Sequence, residues 1–118
     1  MWLCLNDAFL SIVQKDCPAG SLLVRARRPG DIEKVFGPDV KVKRSTNSDY
    51  LFRAIVPIEE VKMAMERAVE DISYKNFKDS VENHALHIAY TRVWSAMSVL
   101  QNPRPYSTGF TGKKAVTR

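Results

Sequence analysis

The clearest strand pattern in the chain is VKVKR, from Val40 to Arg44, where apolar and cationic residues alternate. This alternation is typical of a strand with one face in a core and the other in water. The segments SLLVRARR (residues 21–28) and YLFRAIV (residues 50–56) alternate in a similar way. Together the three segments predict the centre of a β-sheet.

The segments upstream predict a hairpin and a short helix. Apolar runs at residues 2–5 and 8–14 lie on either side of Asn6-Asp7, which tolerate turn conformations. Asp31 can cap a helix that runs through Phe36 and ends at Gly37-Pro38.

Two longer helices are predicted after the last strand. Pro57 suits the first position of the first of them, because its φ is preset and no hydrogen bond is lost there. Asn76 and Asp79, three residues apart, resemble a capping box and predict the start of the second helix, which ends at Asn102-Pro103. The predicted apolar stripes consist of Ile58, Val61, Met65, Ala68 and Ile72 in the first helix and Leu86, Val93 and Leu100 in the second.

The element order is therefore β-β-β-α-β-β-α-α, which predicts an α+β fold. Short connections favour a mostly antiparallel sheet of about five strands, with helices packed on one face. A chain of 118 residues accommodates one domain, which we place at residues 1–102. Residues 103–118 are rich in Gly, Pro, Ser, Thr and Lys and predict a flexible, basic tail.

The formal net charge of +5 is unevenly distributed. Four of the 18 cationic residues follow Pro103, with no acid among them, and 14 precede it, against 13 acids. Residues 21–53 are basic on balance, and residues 57–83 are acidic on balance. The tail cations Lys113, Lys114 and Arg118 are candidate binding residues.

Side-chain parity predicts that five cations share the solvent face of the sheet. They are Arg25, Arg27, Lys41, Lys43 and Arg53. The opposite parity is apolar and would face the helices, and it includes the aromatic residues Tyr50 and Phe52. A surface for phosphates or for an acidic protein is one interpretation, because arginine binds two oxygens at once. The alternative is an ordinary solvated face whose cations deter edge pairing.

No motif for catalysis or for a cofactor is present, and no cofactor is predicted. His84 and His87 are three residues apart on a helix, which is a weak metal signal without a third ligand. Cys4 and Cys17 form no CxxC pair, and no motif spacing in the chain links either of them to a histidine. A small enzyme or metal site around the two histidines stays open as a minor alternative. Trp94, off the apolar stripe, is a candidate interface anchor.

The start of the chain is apolar, but Asn6-Asp7 interrupts it and no positive charge precedes it. We therefore expect no signal peptide, and no apolar run is long enough to cross a bilayer. The expected location is cytoplasmic, with no membrane contact.

The chain resembles a family of small bacterial, plasmid and phage proteins for which no activity is established. The resemblance covers most of residues 1–101 and rests on MWLCLNDAFLSIV (residues 1–13), LLVRAR (residues 22–27), Asp49-Tyr50, Phe52-Arg53, YKNFK (residues 74–78), His84, Tyr90 and Trp94. It implies a mobile-element setting, in which small proteins often inhibit host defence, anti-CRISPR proteins among them.

The sequence thus favours a non-enzymatic interaction module that docks on an acidic protein surface or a ribonucleoprotein. The alternative is nonspecific binding of DNA or RNA through the sheet face and the tail. Stacking aromatics would be expected on such a face, and the predicted parity of Tyr50 and Phe52 argues against it. Formation of a homodimer is left open.

Overall fold

The computed structural model of the protein describes residues 1–105. Five strands form one antiparallel sheet: β1 (Trp2–Cys4), β2 (Phe9–Val13), β3 (Ser21–Ala26), β4 (Lys43–Arg44) and β5 (Phe52–Pro57). The helices are α1 (Asp31–Phe36), α2 (Ile58–Glu70) and α3 (His84–Met97). The α+β class, the antiparallel sheet and the predicted element order are confirmed. The strand order across the sheet is β1-β2-β3-β5-β4.

The main core lies between one face of the sheet and the helices α1 and α2. Its fully buried side chains come from alternate positions of the central strands, such as Leu10, Val24 and Val56. Ile32 of α1 and Val61 of α2 close the core from the other side. Burial of these aliphatic side chains, at about 1.5–3 kcal/mol each, is the main stabilising contribution to this part of the fold.

Helix α3 packs elsewhere. Its buried residues Leu86 and Tyr90 form a second cluster with Val81, and Cys4 and Phe9 pack against that cluster. Cys4 and Phe9 are cross-strand neighbours that alternate with Leu3 and Leu10 of the main core, so they point to the opposite face of the sheet. The expectation of helices on one face holds for α1 and α2, whereas α3 covers the β1–β2 corner of the other face.

The prediction that the last helix begins at Asn76 was wrong. Asn76 Oδ1 accepts from the Asp79 backbone N–H at 3.1 Å, but this cap serves only a 3-10 turn at Lys78–Ser80. Val81 then takes an extended conformation, which buries its side chain in the second cluster. The α-helix begins at His84, where the side chain of Asn83 accepts from the Leu86 N–H at 2.9 Å.

Other element boundaries also differ from the prediction, because they depend on which residues are paired or buried in the folded chain. Pro57 ends β5, so α2 begins one residue later, and it ends at Glu70, which leaves Ile72 exposed. Of the predicted VKVKR strand, only Lys43 and Arg44 form ladder pairs. The predicted stripe on α3 is buried only near its start, because Val93 is exposed and Leu100 lies beyond the helix, 77% exposed.

Candidate binding face of the sheet

A row of residues crosses all five strands on the face opposite to α1 and α2. The register places Trp2 opposite Ser11, Ser11 opposite Arg25, Arg25 opposite Arg53 and Arg53 opposite Lys43. Four strand spacings of about 4.8 Å give this row a length of roughly 19 Å. We call it the transverse row. It begins at an aromatic side chain and ends in three consecutive cations.

The five cations predicted for this face belong to two neighbouring groups. Arg25 and Arg27 lie over the ring of Tyr50, with their guanidinium carbons 4.5 Å and 4.4 Å from its centroid. Lys41, Lys43 and Arg53 line a recess of about 500 Å³ at the β4–β5 edge. The two groups adjoin where Arg25 and Arg53 are paired across β3 and β5.

Tyr50 was wrongly assigned to the apolar face that meets the helices. It precedes the first ladder residue of β5, so the strand alternation does not govern its direction. Its side chain lies under Arg25 and Arg27 and is only 4% exposed. Arg25 also donates to Ser11 Oγ at 2.7 Å, and Arg27 donates to the Asp49 carbonyl oxygen at 2.7 Å. Both arginines therefore have a structural role as well as a charge.

None of the five cations forms an ion pair with a residue in the range 1–105. The ion pairs in that range join Arg28 and Lys34 to Asp31, and Lys62 to Glu59. The Nε atoms of Arg25 and Arg53 are buried and have no hydrogen-bond partner within this range. Like charges that lie directly opposite on neighbouring strands repel each other. The transverse row thus concentrates positive charge that the described residues do not neutralise.

This repulsion predicts that Lys43→Glu stabilises the fold. The substitution places a carboxylate opposite Arg53 and replaces a like-charge pair with an opposite-charge pair. We expect the free energy of unfolding to rise by about 0.2–1 kcal/mol in urea titrations at low salt. The control Lys62→Glu, which faces Glu59 on α2, should give no such increase. A loss of stability in Lys43→Glu would show that the row is not self-repelling.

A second concave feature adjoins the transverse row at its aromatic end. A crevice of about 270 Å³ lies between α3 and the sheet, with mainly apolar walls that include Trp2, Phe9, Ala89 and Val93. Trp2 is 72% exposed, although its ring makes an edge contact with Phe9 at 6.3 Å between centroids. Arg27 also borders the crevice, so the apolar and cationic surfaces are continuous. No pattern in the sequence indicated this crevice, because it depends on where α3 docks.

The histidines do not form a metal site with other described residues. His84 is exposed at the start of α3, and His87 Nδ1 is 2.8 Å from the Lys78 carbonyl oxygen. Within residues 1–105, no three His, Cys, Asp or Glu side chains are grouped so that they could share a metal ion. Cys4 is partly buried in the second cluster, and burial raises the pKa of its thiol, which disfavours the reactive thiolate.

The remaining predicted residues lie at the margins of the described structure. Trp94 is on the exposed part of α3, with Lys78 Nζ 4.7 Å from its ring centroid, and its role as an interface anchor stays a prediction. Lys113, Lys114 and Arg118 lie outside the described residues. Within residues 1–105, none of the helices combines the length and the hydropathy that a membrane crossing requires.

No family model matches the chain, and no curated protein or solved structure is significantly similar to it. The resemblance to the small mobile-element proteins therefore stays a prediction.

Proposed function

We propose that this protein is a non-enzymatic interaction module that docks through the transverse row on an acidic surface of a protein or ribonucleoprotein partner. The observation that carries the proposal is the register of Arg25, Arg53 and Lys43 on three neighbouring strands, with no carboxylate of residues 1–105 paired to them. Such an arrangement costs folding stability, and a complementary partner would remove that cost. Charge complementarity of this kind mainly sets specificity and the rate of association.

The apolar crevice supports the same proposal. Interfaces combine a desolvated apolar centre with a polar or charged rim. Here the exposed Trp2 and the crevice lie at one end of the row, and the three cations occupy the other end over two strand spacings, or roughly 10 Å. Because large aromatic side chains and arginines contribute most of the binding energy in many interfaces, Trp2 and Arg27 are the residues to test beside the lysines. The resemblance to mobile-element proteins makes a host-defence complex the first class of partner to examine.

The experiment that tests the proposal is a comparison of two charge-matched double variants in affinity capture. Lys41→Glu with Lys43→Glu changes the exposed cations of the face without disturbing the contacts that Arg25 and Arg27 make to Tyr50. Lys62→Glu with Lys75→Glu changes the net charge equally, at exposed positions away from the sheet. We expect the partner captured by the wild type to bind the first variant at least tenfold more weakly and the second without change.

The double variant Lys41→Glu with Lys43→Glu also distinguishes docking from the alternative that these lysines only protect the sheet edge. A charged edge deters strand addition whichever sign it carries. If edge protection is the only role, the double variant retains the partner with wild-type affinity. That result would contradict the proposed function.

Nonspecific nucleic-acid binding is the second candidate, and the position of Trp2 favours it. Proteins that bind single strands combine a cationic track with exposed aromatics on which bases stack. Tyr50 is covered by Arg25 and Arg27, but Trp2 is exposed on the same face and in the same row. Binding of random single-stranded DNA should then weaken steeply with salt, with a slope set by the number of phosphate contacts. Affinity that survives a rise from 50 to 200 mM salt would argue for the protein partner instead.

A further inference from the structure

The recess at the β4–β5 edge has the features of an oxyanion site. Three cationic residues, Lys41, Lys43 and Arg53, border a volume of about 500 Å³, together with Ser45. Lys43 and Arg53 are directly opposite each other in the ladder, and Lys41 is exposed two residues before Lys43. The hydroxyl of Ser45 adds a hydrogen-bond donor. Donors thus come from two strands and from the residues on either side of β4.

Charge is nearly uncompensated within this recess. Asp16 is the one acidic residue among those that border it, so Lys41, Lys43 and Arg53 leave a net charge of about +2, and with a fourth cation the total is about +3. Arg44 also borders it, but its guanidinium carbon lies 5.4 Å from the centroid of Phe52, a side chain of the opposite face. The side chains of Lys41, Lys43 and Arg53 have no hydrogen-bond or ion-pair partner among residues 1–105. An anion with two or three negative charges is the ligand whose charge balances this set.

We propose that the recess binds a phosphate group, held by Lys41, Lys43 and Arg53. A phosphate presents several oxygens in tetrahedral directions, which suits donors that approach from different sides, whereas a planar carboxylate suits one bidentate arginine. This inference deepens the proposed function and rests on it only for the source of the phosphate. That source is either the backbone of a nucleic acid in a ribonucleoprotein or a small phosphate compound.

Binding of inorganic pyrophosphate to the full chain tests the inference. We expect calorimetry at low salt to show one site, with a shift of the Arg53 side-chain Nε–H signal in NMR spectra, assigned from its loss in Arg53→Lys. Lys41→Glu with Lys43→Glu should weaken binding at least tenfold, and Lys62→Glu with Lys75→Glu at most twofold. Citrate, a tricarboxylate that carries about the same charge as pyrophosphate near neutral pH, should bind several-fold more weakly than pyrophosphate.

Asp16 provides a variant that should improve the site. It has a positive φ of 51°, a conformation that asparagine also tolerates, so Asp16→Asn removes the negative charge without forcing a change in the backbone. We expect pyrophosphate to bind this variant several-fold more tightly than the wild type. A gain of function of this kind cannot result from misfolding.

The outcomes distinguish three questions: whether the recess binds phosphate, which compound supplies that phosphate, and whether the proposed function is correct. Competition of decathymidylate with pyrophosphate assigns the phosphate to a nucleic-acid backbone, and tight pyrophosphate binding without competition assigns it to a small compound. Both results support the site. Equal affinity for citrate, or equal loss of affinity in the two double variants, overturns it. The proposed function fails separately, if a captured macromolecular partner binds Lys41→Glu with Lys43→Glu as well as it binds the wild type.

Discussion

Replacing Asp31 with alanine should lower the free energy of unfolding by about 2–3 kcal/mol, because it leaves the Phe9 N–H without an acceptor and the partly exposed Arg28 without its counter-ion. Asp31 is the first residue of α1 and only 1% exposed. Its carboxylate accepts from Arg28 Nε at 3.1 Å and from Arg28 Nη2 at 2.9 Å, and also from the Phe9 N–H at 3.1 Å. One side chain therefore joins α1, the start of β2 and the end of β3.

Arg28 extends this network to α3, which is why the effect should not remain local. Its guanidinium donates to Asn83 Oδ1 at 3.2 Å and to the Asp7 carbonyl oxygen at 3.3 Å. Asn83 is the residue that caps α3. Loss of Asp31 frees Arg28 to move, and the cap and the turn between β1 and β2 lose a partner. We expect amide exchange to accelerate in α1 and α3 together.

Urea unfolding of three variants distinguishes the charge from the hydrogen bonds. Asp31→Asn keeps an acceptor for the Phe9 N–H but not the charge opposite Arg28. Its loss of unfolding free energy should therefore lie between zero and the loss in Asp31→Ala. Asp39→Ala, at an exposed position beyond α1, should change the free energy by less than about 0.5 kcal/mol. A loss below about 1 kcal/mol in Asp31→Ala would show that the network contributes little.

Replacing Tyr90 with alanine should undock α3 from the sheet. Tyr90 and Leu86 are the buried residues of that 14-residue helix, and the Tyr90 ring lies 5.4 Å from that of Phe77. Its hydroxyl donates to the Ala8 carbonyl oxygen at 2.8 Å, beside the first residue of β2. Truncating a buried aromatic residue costs about 3–5 kcal/mol. Because a helix of this length is marginal in water by itself, we expect its amides to lose protection from exchange.

The variant Tyr90→Phe isolates the hydroxyl and gives a pH signature. The Ala8 carbonyl oxygen also accepts from the Leu5 N–H, so Tyr90→Phe should lower the free energy of unfolding at neutral pH by only about 0.5–1.5 kcal/mol. Burial, and then the nearby Cys4 and Asp31, raises the pKa of Tyr90 in the folded protein. In the unfolded chain the same phenol ionises near pH 10. Above about that pH the folded state retains a proton that the unfolded state has lost, so stability contributed by Tyr90 declines as pH rises.

The measurement is the difference in unfolding free energy between the wild type and Tyr90→Phe from pH 8 to 11. We expect this difference to be constant up to about pH 9.5 and then to shrink, by at most about 1.4 kcal/mol per pH unit. Tyr74→Phe is the matched control, since Tyr74 also contacts Phe77 but is less buried. A difference that stays constant to pH 11 would contradict the assigned burial of the phenol.

Strand parity in the sequence was a good guide to the basic face, but only inside ladder segments. Arg25, Arg53 and Lys43 lie on the predicted face because each belongs to a paired strand. Tyr50 precedes the ladder of β5, and its ring turned to the opposite side from the predicted one, beneath Arg25 and Arg27. Side-chain direction has a period of two only where the backbone is extended and paired, so residues at strand ends depend on their neighbours in space.

The sequence alone determined the α+β class, the order of the elements and the presence of five cations with a common parity. These follow from local periodicity and from turn residues, which are properties of neighbouring positions. The three-dimensional fold was needed to show that Lys41, Lys43 and Arg53 share a recess, that Trp2 lies in the same row, and that α3 covers the β1–β2 corner. Strand order and helix docking depend on contacts between residues far apart in the chain, such as that between Tyr90 and Ala8, and local patterns do not encode such contacts.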